Sequence, residues 1–210
     1  MNIELGRMVD SIERNFKLSS NVKEAMLSVP RELFIPSGMM HIAYKLDALP
    51  LGARQFISSP LTVAKMTQYL DIDKNTDSIL EIGLGSGYQA AILSKLIRRV
   101  FSIERIERLM HDARDAIRKL GIMNIHTKFA DGKHGWEQYA PYDRILFSAS
   151  VNLIPPKIID QLANNGILVA PILEGNNNQI ITRFIKKDGK LLLLDKKDPC
   201  TFVHVKDNVE

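Results

Sequence analysis

The chain has 210 residues, and 28 Lys and Arg against 24 Asp and Glu leave a net charge of +4 at pH 7. That charge is modest and spread out, unlike the clustered basic stripe of a dedicated nucleic-acid binder. A hydrophobic fraction of 45% supports a real core and excludes wholesale disorder. No apolar run reaches the roughly 18 residues of a membrane-spanning helix. The start, with Glu4, Asp10 and Glu13, does not read as a signal peptide. The single cysteine, Cys200, excludes an internal disulfide framework or a multi-cysteine zinc site. A cytoplasmic monomer is expected, built as one domain over residues 1–210.

In chain order, residues 1–48 are expected to be mostly helical. Met8, Val9, Ile12 and Phe16 share one helical face. A second helix opens at Ser20 or Asn21 and stops at Pro30, because the residue before a proline is pushed out of the α region. Val29–Pro36 is a proline-bracketed connector, and Leu49–Gly52 is extended chain running into a turn. Ser59-Pro60 starts a helix with proline in its first turn.

From about residue 77 the pattern alternates strand and helix. Strands are expected at Ser78–Ile82, Arg99–Ile103, Ile125–Ala130, Tyr142–Ser148 and Ile167–Ile172. Helices are expected through Ala90–Leu96, from Arg108 to Leu120 before the capping Gly121, and from Pro155 to Asn165-Gly166. Gln179–Lys186 and Leu191–Leu194 form a closing hairpin around Asp188-Gly189. This is an α/β fold: a doubly wound, mostly parallel sheet with an N-terminal helical segment (1–60), a cofactor-binding core (61–175) and a C-terminal antiparallel hairpin and tail (176–210).

The strongest chemical signal is Leu80-Glu81-Ile82-Gly83-Leu84-Gly85-Ser86-Gly87-Tyr88, lying between an expected strand and an expected helix. Glycines let backbone N–H groups approach a ligand. A dinucleotide fingerprint, G-x-G-x-x-G, would need its third glycine at position 88, which is tyrosine. The G-x-G-x-G spacing after Glu81 instead resembles the S-adenosylmethionine-dependent methyltransferases. Glu104 ends the next strand, where such folds place an acid on ribose hydroxyls. Asp131-Gly132 follows the third strand, where an acid can accept from an adenine amino group. A structural turn at the glycines or at Asp131-Gly132, and a solvated helix-start acid at Glu104, are the plainer alternatives.

With those residues placed, the chain resembles the protein-L-isoaspartate (D-aspartate) O-methyltransferases from about residue 22 to 175. Val29–Pro36 resembles the family's V-P-R-x-x-F-x-P, Leu49–Gly52 its L-P-I-G, and Gln55–Pro60 its Q-T-I-S-x-P. Leu80–Gln89 is similar to L-E-I-G-x-G-S-G-Y-Q, and Asp131-Gly132, Gly135-Trp136 and Ala140–Asp143 to D-G…G-W…A-P-F-D. The resemblance implies a Rossmann-like class I fold. It implies methyl transfer from S-adenosylmethionine, leaving S-adenosylhomocysteine, to the α-carboxylate of isoaspartyl residues in damaged proteins and peptides. It implies a cofactor site of Glu81, Gly83, Gly85, Ser86, Gly87, Glu104, Asp131 and Gly132. Ser58 would orient the acceptor carboxylate, with Ile57, Ser59, Ser148, Ala149 and Val203 around it. Either Ser58 or Ser59 could instead cap the helix at Pro60.

The chain departs from the family on the acceptor side: Phe56 stands for threonine, Asn152 for the first proline of T-A-A-A-P, and Thr201 and His204 for the arginine and proline of R-F-V-P-L. Those departures keep two alternatives open, a methyltransferase with a different acceptor and a cofactor-binding relative with little catalysis. The five histidines and Cys200 show no convincing metal spacing, so no metal is expected, nor a nucleic-acid or membrane partner. Trp136 reads as a packing anchor, and Lys186, Lys187, Lys190, Lys196 and Lys197 as a solvated sheet edge.

Overall fold

A computed structural model describes residues 2–210. Asn2 opens α1 (Ile3–Asn15), its side chain accepting from the Glu4 and Leu5 N–H groups. Leu5, Met8, Val9 and Ile12 form the buried stripe, while Phe16 lies just past the helix in extended conformation. Helix α2 (Ser20–Ser28) has Ser19 as its cap residue, just before the expected start, and ends ahead of Pro30. Two short 3-10 turns, Arg31–Phe34 and Ser37–Ile42, follow. Strands β1 (Leu49–Gly52) and β2 (Gln55–Ile57) then pair as a tight hairpin, with Ala53 and Arg54 both at positive φ. Strand β2 was not foreseen, because three residues are too few to show alternation. Helix α3 (Pro60–Tyr69) begins where expected.

The main sheet comprises β3 (Ser78–Ile82), β4 (Arg99–Glu104), β5 (Ile125–Phe129), β6 (Tyr142–Phe147), β7 (Leu162–Leu173), β8 (Gln179–Lys187) and β9 (Lys190–Cys200). Its order is β5-β4-β3-β6-β7-β8-β9. The pairs from β5 to β7 are parallel, and β7-β8-β9 is an antiparallel extension. Alternation splits the core. Ile79 and Val100 pack with α4 (Tyr88–Leu93), α5 (Glu107–Lys119) and the N-terminal helices. Leu80, Phe101 and Phe147 pack on the opposite face with Ile158 of α6 (Pro156–Gln161). Among the described residues no helix is long and apolar enough to cross a membrane.

Two expectations are corrected here. Helix α6 ends at Gln161, not Asn165, because Leu162 leaves to pair with Tyr142 as the start of β7. Lys186 is not a solvated edge lysine. Its ammonium donates to the carbonyls of Ile159, Asp160 and Leu162 at 2.8, 3.1 and 2.8 Å, where a cation meets the negative end of the helix. The last strand also runs on to Cys200, well past Leu194.

Arg144 on β6 binds the end of α3 to the sheet. Its Nε donates to Leu70 O at 2.6 Å and its Nη2 to Asp71 O at 2.7 Å, with the side chain 9% exposed. Arg144→Leu leaves both carbonyls without a donor, and unfolding in urea should show a stability loss of about 2 kcal/mol. An unchanged midpoint would mean that solvent satisfies those carbonyls.

Candidate active site

The chain winds outward from β3 through β4 to β5, then returns to place β6 on the other side of β3. Open α/β sheets bind ligands at such a reversal, beyond the carboxyl ends of the strands. A cleft opens there. Its floor is the loop after β3, Glu104 after β4, Gly132 after β5, and Ser148 and Ala149 after β6. Strand β2 with Ser58 forms one wall, and Phe202–Lys206 of the tail forms another.

The glycine loop has the conformation its composition allows. Gly83, Gly85 and Gly87 sit at φ +98°, +54° and +86°, a region that strains a residue bearing Cβ. The N–H groups of Gly83 and Leu84 are held by Ile103 O at 2.9 and 3.0 Å. Gly85 N–H donates to Glu104 Oε2 at 2.7 Å. The other oxygen of Glu104 accepts from the Arg105 and Ile106 N–H groups at 2.9 and 3.0 Å. Three backbone donors therefore fix this carboxylate, which lines the cleft at 5% exposure. Gly83, Gly85 and Ser86 also line the cleft, whereas Gly87 is packed outside it, against Ala113 and Ile117 of α5.

The other two acids do not reach the cleft. Glu81 points into the sheet, fully buried, where Ser102 Oγ donates at 2.6 Å and Ser148 Oγ at 3.0 Å. Burial pushes its carboxyl up to about 8, against the opposing effect of the two serine hydroxyls. Asp131 spends both oxygens on backbone, accepting from Lys133 N–H at 2.9 Å and Asn208 N–H at 2.8 Å. It thereby ties the tail across the cleft mouth, and Gly132 supplies the wall instead. A Cβ at position 132 would lie 2.5 Å from Ile82 Cγ2, so only glycine fits that approach.

On the acceptor side the two serines divide their roles. Ser59 Oγ accepts from Thr62 N–H at 3.1 Å and caps α3. The Ser58 hydroxyl lines the cleft and bonds to no other side chain or main-chain group among the described residues. Ile57, Ala149 and Val203 line the same space, as does Phe56, which is 56% exposed. Of the four departures, Phe56 and His204 reach the cleft, while Asn152 and Thr201 do not. His204 Nδ1 lies 2.7 Å from Ser150 Oγ. Trp136 packs edge-on against Phe101 and Tyr139 outside the cleft.

Sequence reasoning missed Arg31. Its guanidinium is wholly buried and donates to Ser58 O at 3.0 Å, among other carbonyls. The available signal was an arginine, followed by Glu32, inside the proline-bracketed run Val29–Pro36. The tail's wall was also missed apart from Val203, because nothing local marks residues 202–206 as cleft lining.

Comparison with known proteins gives the family and the fold. The family described as Protein-L-isoaspartate(D-aspartate) O-methyltransferase (PCMT) matches residues 6–210. A Helicobacter pylori protein-L-isoaspartate O-methyltransferase is 57% identical over 203 residues, covering 97% of this chain and 96% of the relative. The Dictyoglomus turgidum enzyme of the same name is 42% identical over 182 residues, 87% and 82% of the two chains. A solved protein-L-isoaspartate O-methyltransferase superposes with a TM-score of 0.88 at 27% identity, covering 98% of this chain and 67% of that one. A Plasmodium falciparum structure described as the same enzyme, in complex with S-adenosyl-L-homocysteine, gives 0.84 at 23% identity, with 96% and 98% covered. The latter likeness bears on the fold.

Glu81 makes a pH-dependent prediction. A buried carboxyl with a raised pKa binds its proton more tightly folded than unfolded. The stability it permits is therefore full below about pH 4.5 and falls as pH rises toward about 8. Glu81→Gln keeps the shape without the charge. Between pH 6 and 8 wild type should lose about 2 kcal/mol more than the variant, measured by urea unfolding at both pH values. Identical pH slopes would place the charge of Glu81 in contact with water.

Proposed function

The chain belongs to the protein-L-isoaspartate (D-aspartate) O-methyltransferase family, and on that premise we propose that Ser58 orients the acceptor carboxylate while Glu104 and the Gly83–Ser86 loop hold the cofactor. The activity is S-adenosylmethionine-dependent methyl transfer to the α-carboxylate of L-isoaspartyl residues in proteins. The observation that carries the assignment of roles is the pairing, in one cleft, of an unbonded serine hydroxyl with a carboxylate pinned by three amides.

The residues present fit the cofactor. A carboxylate has about four acceptor positions. Three are used on Glu104, and the side chain still lines the cleft, which leaves one position for a ribose hydroxyl. Gly132 lines the cleft close against Ile82, where a Cβ would collide. When bound, S-adenosylmethionine supplies a methyl group on a sulfonium cation. Ser58 donates a hydrogen bond to one acceptor oxygen and leaves the other to act as nucleophile. The acceptor carboxylate is already ionised at pH 7, so no side chain need serve as base. Phe56 and Ile57 give the acceptor wall an apolar face, and the work of the site is orientation. The following backbone nitrogen can then displace methanol from the ester to form a succinimide, which water opens to normal aspartate or back to isoaspartate.

This reading takes residues 1–210 as one domain, since the N-terminal helices share a core with the sheet. Residues 1–60 bring the acceptor wall, 61–175 the cofactor core and 176–210 the hairpin and tail. It takes the protein as a cytoplasmic monomer acting on isoaspartyl proteins and peptides, not on nucleic acid or membranes, in keeping with its modest net charge.

Ser58→Ala should lower kcat on an isoaspartyl peptide by roughly 10- to 100-fold, the worth of one hydrogen bond to a charged group. Calorimetric affinity for S-adenosylhomocysteine should stay within about twofold. Glu104→Ala should weaken that affinity by at least about tenfold. Equal loss of turnover and affinity in Ser58→Ala would remove its orienting role, and unchanged binding in Glu104→Ala would remove Glu104 from the cofactor site.

A further inference from the structure

Arg31 is 0% exposed. Its Nη1 donates to Ala43 O at 2.5 Å and more distantly to Lys45 O at 3.4 Å; its Nη2 donates to Asp47 O and Ser58 O, both at 3.0 Å. No carboxylate forms an ion pair with it among the described residues. Carbonyls serve its two Nη groups in place of water, while its buried Nε has no partner among the described residues; burial lowers its pKa to about 10, so it stays charged at neutral pH. The planar fork is what allows one cation to serve carbonyls arriving from different directions. Its carbon Cζ lies 5.9 Å from the centroid of the Tyr88 ring. Tyr88 starts α4 directly after the glycine loop and lines the cleft.

One side chain thus touches the 43–47 segment, the backbone of Ser58 and the ring that follows the cofactor loop. Methyl transfer needs the acceptor oxygen in line with the methyl group, and misplacement by about 1 Å can cost about 100-fold in rate. We propose that Arg31 is a positioning residue for methyl transfer: its guanidinium sets where Ser58 stands relative to the cofactor loop. The inference rests on the role given to Ser58 above. Arg31 touches neither reactant and acts through the Ser58 main chain and the Tyr88 ring.

The test uses Arg31→Lys in the full chain, alone and with Ser58→Ala. Lysine keeps the charge but not the fork. Well below its unfolding temperature, Arg31→Lys should lower kcat on an isoaspartyl peptide by roughly 10- to 100-fold, with affinity for S-adenosylhomocysteine within about twofold of wild type. Added to Ser58→Ala, it should slow turnover by less than about threefold more, because both changes remove one interaction. Unchanged kcat in Arg31→Lys, with Ser58→Ala impaired, would overturn the positioning role and leave the role of Ser58 standing. Full activity in Ser58→Ala would overturn the underlying reading itself. Loss of kcat and cofactor affinity in equal measure in Arg31→Lys would make Arg31 a structural residue only. Should Arg31→Lys not fold, amide hydrogen exchange on wild type decides. Residues 44–48 and 57–59 should open together, and exchange at 57–59 at least about tenfold faster than at 44–48 would overturn the proposal.

Discussion

The buried guanidinium of Arg31, in no ion pair among the described residues, ties the 43–47 segment to the main chain of Ser58. The Arg31 guanidinium is enclosed by carbonyls from Ala43, Lys45, Asp47 and Ser58. An isolated buried charge is costly unless its donors are matched, so the segment around it is constrained to one arrangement. That arrangement delivers the β1–β2 hairpin to the edge of the cleft and places Ser58 there.

The acids around the cleft show how the site keeps its charge under control. The sequence places three of them near the ends of successive strands, and only Glu104 is offered to a ligand. Glu81 is buried under the loop with two serine hydroxyls, and Asp131 stands outside the cleft lining, bonded to the Lys133 and Asn208 amides. Three exposed carboxylates would repel an anionic acceptor and one another. One carboxylate lines the cofactor side and neutral Ser58 with apolar Phe56 and Ile57 the other, while Arg105 and Lys206 add basic groups to the lining. The tail closes the mouth through main-chain bonds, Val205 N–H to Ser150 O at 2.9 Å and Glu210 N–H to Arg105 O at 2.7 Å.

What could be read from the sequence was what local chemistry encodes. The fully buried strand β3, the glycine loop, the proline start of α3 and the Gly121 end of α5 depend on neighbours a few residues away. Glu104 could be found because a fold-level rule puts an acid at that strand end. The failures share one cause, contacts between residues distant in sequence. Lys186 ends α6 from more than twenty residues away, Asn208 captures Asp131, and Arg31 reaches Ser58 across 27 positions. Periodicity cannot report such pairs. The choice between Ser58 and Ser59 was likewise open until Ser59 was seen bonded to Thr62.

The acceptor side differs from the family pattern at Phe56, Asn152, Thr201 and His204, and two of these lie outside the cleft. The central claim is that this cleft still takes an isoaspartyl α-carboxylate. The most direct test pairs two peptides identical except for isoaspartate or aspartate at one position, each incubated with methyl-labelled S-adenosylmethionine. Base-labile methanol should come from the isoaspartyl peptide alone. Methanol from neither peptide, with S-adenosylhomocysteine still bound, would contradict the account and assign the cleft to another acceptor.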